Sequence, residues 1–171
     1  MKIDISDIIK NQGASLDIFF NEKIPESDNK AFNCVFDRPV KFTGTLENNG
    51  GELLLQADLD TIYSSACDRC AEPMESQIAL KVEEEIVTGD KAEADEIYVY
   101  DGKYLDIGKI IMDNILLKLP MKQLCKSTCK GLCPKCGCNL NEKQCNCGDG
   151  DANMHFGVLK NIFNNSGKNG Q

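Results

Sequence analysis

The sequence predicts an α+β protein. An antiparallel, β-rich domain with one packed helix is followed by a cysteine-rich zinc-binding segment and a short C-terminal helix. Three observations carry this expectation. Apolar and polar residues alternate through much of 40–86, the period of half-buried strands. A single broad apolar helical face spans 107–119. Seven of the ten cysteines fall in residues 125–147, which read CKSTCKGLCPKCGCNLNEKQCNC.

Taken in order, residues 2–10 predict a short helix or strand, and 16–20 a strand. The polar stretch 21–30 contains Pro25 and reads as a loop. Cys34 lies in the apolar run 32–36 and reads as a core residue. Val40, Phe42, Gly44 and Leu46 alternate with Lys41, Thr43 and Thr45 as one strand. Asn48-Asn49-Gly50-Gly51 is a strong turn signal. Leu53, Leu55, Ala57 and Leu59 resume the alternation on a long second strand toward Ser65, and Ile78, Leu80, Val82 and Ile86 mark a third after Pro73. Cys67-Asp68-Arg69-Cys70 therefore sits in a turn joining two long strands. Residues 83–101 hold eight acids and one lysine and read as a flexible acidic loop, with a short strand at 97–100 inside it. No D-x-D-x-D-G spacing supports a carboxylate metal site there. Asp106 is placed to cap a helix over 106–118, which Pro120 stops. Its breadth of apolar face predicts packing against a sheet. Phe156, Leu159, Ile162 and Phe163 suggest a terminal helix, and the Asn- and Gly-rich end reads as disordered. The expected domains are thus 1–120, a cysteine-rich metal-binding module at 121–150, and a helix and tail at 151–171.

Composition narrows the class. The 171-residue chain has no Trp and a net charge of −8. The start, with Asp4 and Asp7, lacks the basic-then-apolar pattern of a signal peptide, and no apolar run approaches the ~18 residues needed to cross a bilayer. These features predict a cytoplasmic protein. In a reducing compartment, dense CxxC pairs favour metal sites over disulfides. Residues 1–120 carry 12 Lys+Arg against 24 Asp+Glu (−12), whereas 121–171 carry 7 Lys against 3 acids (+4). The basic end coincides with the cysteines. Its lysines offset thiolate charge more readily than they make a nucleic-acid surface, which is usually far more basic.

Cys133-Pro134-Lys135-Cys136-Gly137 has the form of a zinc knuckle, in which a tight turn aims two sulfurs at one tetrahedral ion. Cys67 and Cys70 form a second CxxC. An ordinary hairpin with two free thiols is the plainer alternative there. A redox pair fits less well, because that chemistry wants a helix N-terminus and strand-like sequence flanks both sides. With Cys34 assigned to the core and Cys138 to a spare thiol, eight candidate ligands remain: Cys67, Cys70, Cys125, Cys129, Cys133, Cys136, Cys145 and Cys147. Four-coordinate zinc would take them as two closed sites. One partition joins Cys67 and Cys70 to Cys133 and Cys136, leaving Cys125, Cys129, Cys145 and Cys147. The other keeps Cys133, Cys136, Cys145 and Cys147 together and leaves Cys67 and Cys70 for Cys125 and Cys129. Spacing does not choose between them, and the expectation is one or two structural zinc ions. Four thiolates also suit an iron–sulfur cluster.

No catalytic group stands out. His155 is the only histidine, Walker-type and GxGxxG motifs are absent, and no carboxylate pair is singled out by spacing. The expectation is a non-enzyme.

CxRC at a strand end, an acidic loop, a helix ending in LPM, and LCKxxCKGLCPxCGxNLNxxxCxC follow one another along most of the chain. In this the sequence resembles the YceD-type large ribosomal RNA subunit accumulation proteins of bacteria and plastids, in the cysteine-rich form of clostridia-like bacteria. The likeness is most specific over 124–147, and Cys138 departs from it. The resemblance implies a ribosome-biogenesis factor promoting accumulation or processing of large-subunit ribosomal RNA, partnered by that RNA, a basic large-subunit ribosomal protein or a pre-ribosomal particle. A small-molecule substrate and a membrane are not expected. Some relatives lack most of the distal cysteines, which fits a structural role for the metal. The competing class is a zinc-reservoir or redox-responsive thiol protein, distinguished by labile metal and reversible oxidation.

Overall fold

The computed structural model describes residues 1–25, 30–31, 33–50, 52–89, 98–100 and 102–147. The expected terminal helix, the tail and the turn residue Gly51 lie outside them. The chain divides into two compact units. One comprises Met1–Asp68 and Glu72–Cys125, and the other comprises Arg69–Ala71 together with the chain from Lys126 onward.

The first unit is built on strands. In order they are β1 (Lys2–Asp4), β2 (Ser15–Glu22), β3 (Lys30–Ala31), β4 (Cys34–Val35), β5 (Val40–Asn48), β6 (Leu53–Ala66), β7 (Pro73–Thr88), β8 (Tyr98–Tyr100) and β9 (Tyr104–Asp106). A short helix α1 (Ser6–Ile9) follows β1, and α2 (Ile107–Lys118) follows β9. The region 2–10 is thus both a strand and a helix. β1 pairs with β9, a strand too short to leave a period-2 signal in the sequence.

The main sheet centres on β6. One of its edges takes β5, and farther along takes β4, while the other takes β7 over its full length, from Leu53↔Ile86 to Ala66↔Pro73. β2 pairs with β5 from Ser15↔Glu47 to Glu22↔Val40. The alternation seen in the sequence places Leu53, Leu55, Leu59 and Tyr63 of β6 and Phe42 and Leu46 of β5 in the core. Each such buried side chain contributes about 1.5–3 kcal/mol. At Gly44↔Ala57 the strands approach so closely that a Cβ on Gly44 would lie 2.2 Å from the Gln56 carbonyl oxygen and 2.4 Å from the Ala57 Cβ. Cys34 is fully buried in this core, and burial pushes its thiol pKa up.

Two expectations are corrected. Residues 83–88 are not loop: they extend β7, with Ile86 and Val87 buried and Glu83 and Glu85 facing solvent. Glu83 and Glu85 fall on the solvent face, and Val82 and Ile86 keep the other face largely apolar, so the strand continues where composition suggests a loop. The inward-facing Glu84 accepts a 2.9 Å bond from the Asn114 amide of α2. The sheet is also not wholly antiparallel. β8 runs parallel to β7, with Ile86↔Tyr98 and Thr88↔Tyr100 paired, which makes the sheet mixed.

Helix α2 starts and stops as its sequence dictates. The Asp106 carboxylate accepts from the Gly108 N–H at 3.0 Å, the N-cap bond. Leu119 leaves the helix in an extended conformation (φ −59°, ψ 130°), as a residue preceding proline prefers. Ile107, Ile110, Ile111 and Ile115 are buried in the core formed with the strands, whereas Leu117 is 85% exposed. Among the described residues no helix is long and apolar enough to cross a membrane.

Candidate metal centre

The β6–β7 turn carries the first pair of cysteines. The Cys67 N–H donates to the Glu72 carbonyl at 2.8 Å, closing the turn. Ala71, immediately after Cys70, has φ 58°, the left-handed conformation that Gly137 (φ 70°) adopts after Cys136. The two CxxC turns thus share a backbone solution, one with the favoured glycine and one with an alanine held there against a cost of ~1–2 kcal/mol.

Within the first unit, Gln123 fastens the segment after α2 to this turn. Its N–H donates to the Asp68 carboxylate at 2.7 Å, and its carbonyl accepts from the Asp68 N–H at 2.8 Å. Its side-chain oxygen accepts from the buried Tyr63 hydroxyl at 2.8 Å, and its side-chain amide donates to the Pro120 carbonyl at 3.2 Å. Cys125 follows two residues later, and its N–H donates to the Cys67 sulfur at 3.4 Å.

Within the second unit, Arg69 organises the other half of the turn. Its carbonyl accepts from the Leu132 N–H at 2.9 Å, and its guanidinium donates to the Cys129 carbonyl at 2.9 Å. Gly131 (φ 77°) makes this approach possible, since a Cβ there would lie 2.9 Å from the Arg69 carbonyl oxygen. Residues 131–140 then fold back on themselves. Leu132 bridges Asn139, the Leu140 N–H donates to the Gly131 carbonyl at 2.9 Å, and the Cys133 N–H donates to the Cys138 carbonyl at 2.8 Å.

The outcome is two cysteine quartets. The sulfurs of Cys67, Cys70, Cys125 and Cys129 lie within 4.8 Å of one another, and so do those of Cys133, Cys136, Cys145 and Cys147. Of the two partitions that spacing leaves open, the structure assembles the one that keeps Cys133, Cys136, Cys145 and Cys147 together. A tetrahedral ion bound at ~2.3 Å by four sulfurs sets them about 3.8 Å apart, so both quartets fit such an ion after small adjustments. Cys67, Cys70, Cys129 and Cys133 are buried, Cys125 and Cys136 are exposed, and Cys145 and Cys147 are intermediate.

The second quartet has a clear electrostatic asymmetry. The N–H of Cys136 and then that of Lys135 point at the Cys133 sulfur and hold its pKa down to about 6. This is the knuckle turn favouring a thiolate, the form that binds metal. Cys138 and Cys147, both beside Cys136, are pushed up to about 12 by its sulfur and by burial. Cys138 belongs to neither quartet. The eight cysteines singled out in the sequence are the ones grouped here, whereas sequence reasoning gave no role to Gln123, Arg69 or Asn141, whose amide donates to the Cys129 sulfur at 3.4 Å. The Asn139-Leu140-Asn141 run was visible as part of the resemblance, without a role. Gln123 has no local signal.

Fold and quartets together describe a mixed-sheet protein with two groups of four cysteines. The family model described as "Large ribosomal RNA subunit accumulation protein YceD" matches residues 55–163, and the chain belongs to that family. Its description names an accumulation protein, not an enzyme. The chain is 42% identical over 60 residues to "Large ribosomal RNA subunit accumulation protein YCED homolog 1, chloroplastic" of Arabidopsis thaliana, covering 35% of this chain and 19% of that one. To the protein of the same name from Zea mays it is 31% identical over 142 residues, covering 64% and 48%. An uncharacterised protein of Mycobacterium tuberculosis is 30% identical over 79 residues, covering 43% and 38%. The chain thus spans half or less of the length of these curated relatives. No solved structure matches it.

Proposed function

We propose that this protein is a non-enzymatic ribosome-biogenesis factor, acting in the cytoplasm, that promotes accumulation or processing of large-subunit ribosomal RNA. In this reading Cys67, Cys70, Cys125 and Cys129 hold one structural zinc ion, and Cys133, Cys136, Cys145 and Cys147 hold a second. The observation that carries the ribosomal half is the family match over 55–163. The metal half rests on the two groupings of four sulfurs.

Four thiolates leave no open position for water or substrate, so each ion would shape the chain instead of reacting. That role suits residues 126–147, where few apolar side chains are buried and metal binding would supply folding free energy. The exposed residues of the sheet favour a basic large-subunit ribosomal protein over naked RNA as the direct partner. Glu47, Asp58, Glu83 and Glu85 are exposed on β5, β6 and β7 against two exposed lysines, Lys41 and Lys81, while Glu75 is paired with Arg38. These carboxylates repel phosphates and attract lysine- and arginine-rich surfaces.

The test is a sucrose-gradient profile of a deletion strain with ribosomal RNA measured across it, paired with pull-down from extract. A deficit of large-subunit RNA and recovery of ribosomal proteins are expected. Normal ribosomal RNA levels together with recovery of neither RNA nor ribosomal proteins would reject the reading. Metal analysis of protein purified without added metal should give about two zinc ions per chain; less than half an ion would reject the metal assignment.

A further inference from the structure

Asn141 lies between Cys136 and Cys145 in the sequence, inside the loop whose two ends belong to the second quartet, yet its amide donates to the sulfur of Cys129 in the first quartet at 3.4 Å. The side chain is held from three directions. Its oxygen accepts from the Lys130 N–H at 2.9 Å, and its amide also donates to the Asn139 side-chain oxygen at 2.8 Å. The Asn139 oxygen in turn accepts from the Asn141 N–H at 3.0 Å. Lys143 and Glu142 close a turn onto the Asn139 carbonyl at 3.0 and 3.1 Å. An ion gripped by Cys136 and Cys145 would therefore fix the ends of the loop that presents Asn141. Without that ion the loop rests on these hydrogen bonds and on those that fold 131–140 back on itself, including Leu140 N–H to the Gly131 carbonyl.

We infer that Asn141 is a positioning residue that couples the two quartets, so that loading Cys133, Cys136, Cys145 and Cys147 raises the metal affinity of Cys67, Cys70, Cys125 and Cys129. The inference rests on the metal reading above. The physical link is the N–H···S bond to Cys129. A donor aimed at a thiolate ligand stabilises its charge and fixes its direction, and removing such a partner typically costs about 10–100-fold in metal affinity. Coupling of this kind is reciprocal, so a loaded first quartet must favour the second by the same factor.

Cobalt(II) titration of the full, reduced, metal-stripped chain tests this, read by the thiolate-to-cobalt absorption band. A Cys136→Ser/Cys145→Ser variant reports the first quartet alone, and a Cys67→Ser/Cys70→Ser variant reports the second alone. The first quartet should bind at least about tenfold more weakly in the Cys136→Ser/Cys145→Ser variant than in the wild-type chain. Asn141→Ala should produce a similar loss with the second quartet intact, and little further loss when added to Cys136→Ser/Cys145→Ser. In the Cys67→Ser/Cys70→Ser background Asn141→Ala should leave second-quartet affinity unchanged. Equal first-quartet affinity with and without the second quartet would overturn the coupling while leaving the metal reading standing. An equal loss at the second quartet in the Cys67→Ser/Cys70→Ser background would also overturn it, because Asn141 would then merely hold the loop together. Absence of any cobalt band would overturn the metal reading and the coupling with it.

Discussion

Gln123→Ala should destabilise the sheet unit more than any surface substitution, and its cost can be worked from the geometry. Gln123 is 6% exposed and Tyr63 is 2% exposed. The substitution removes the acceptor of the Tyr63 hydroxyl (2.8 Å) and the donor to the Pro120 carbonyl (3.2 Å), but leaves both backbone bonds to Asp68 in place. A net hydrogen bond is worth ~0.5–1.5 kcal/mol, and a buried hydroxyl left without a partner costs ~1–3 kcal/mol. The expected loss is about 2–3 kcal/mol, or about 4–12 °C in Tm for a chain of this size. Urea unfolding at constant metal content measures it as a lower midpoint with an unchanged slope. A Tyr63→Phe background removes the orphaned hydroxyl, so Gln123→Ala should cost about 1–2 kcal/mol less there. A loss below about 0.5 kcal/mol, or strict additivity in the double-mutant cycle, would refute the reasoning.

Other predictions follow from the same contacts. Gly44→Ala would drive a methyl group to 2.2 Å from the Gln56 carbonyl oxygen. It should cost at least about 2 kcal/mol in urea unfolding, and a neutral result would mean the strands separate easily. Cys136→Ser should lower metal content by one ion per chain whereas Cys138→Ser leaves it unchanged, measured by elemental analysis; equal loss from both would make Cys138 a ligand. In metal-free, reduced protein Cys133 has its pKa lowered to about 6. Its thiolate therefore predominates above that pH and is lost as the pH falls through it. The difference in ultraviolet thiolate absorbance between wild type and Cys133→Ser should titrate near pH 6. A midpoint above about 8, the ordinary thiol range, would show that the knuckle N–H groups do not stabilise the anion.

Local chemistry made much of this molecule legible. Period-2 alternation located β5, β6 and β7. Asp106 and Pro120 bounded α2, and CxxC turns marked both knuckles. Where local composition and local pattern disagreed, at 83–88, pattern prevailed, because a strand tolerates acids on its solvent side as long as Val82, Ile86 and Val87 remain buried. The short strand expected at 97–100 is β8, whereas the three-residue β9 fell below what periodicity detects, and the parallel pairing of β8 with β7 is a matter of chain path that no short window contains.

By itself the sequence determined the long strands β5, β6 and β7, the helix α2 and the set of candidate thiolates, since these depend on residues a few positions apart. Which cysteines share a quartet was decided only by tertiary structure. Cys67 lies 58 residues from Cys125, and nothing in either neighbourhood distinguishes Cys125 from Cys133 as its companion. The choice is made by hydrogen bonds between distant backbones, from the Asp68 N–H to the Gln123 carbonyl and from the Leu132 N–H to the Arg69 carbonyl. Main-chain groups carry no sequence signature, so only the folded chain reveals where they meet.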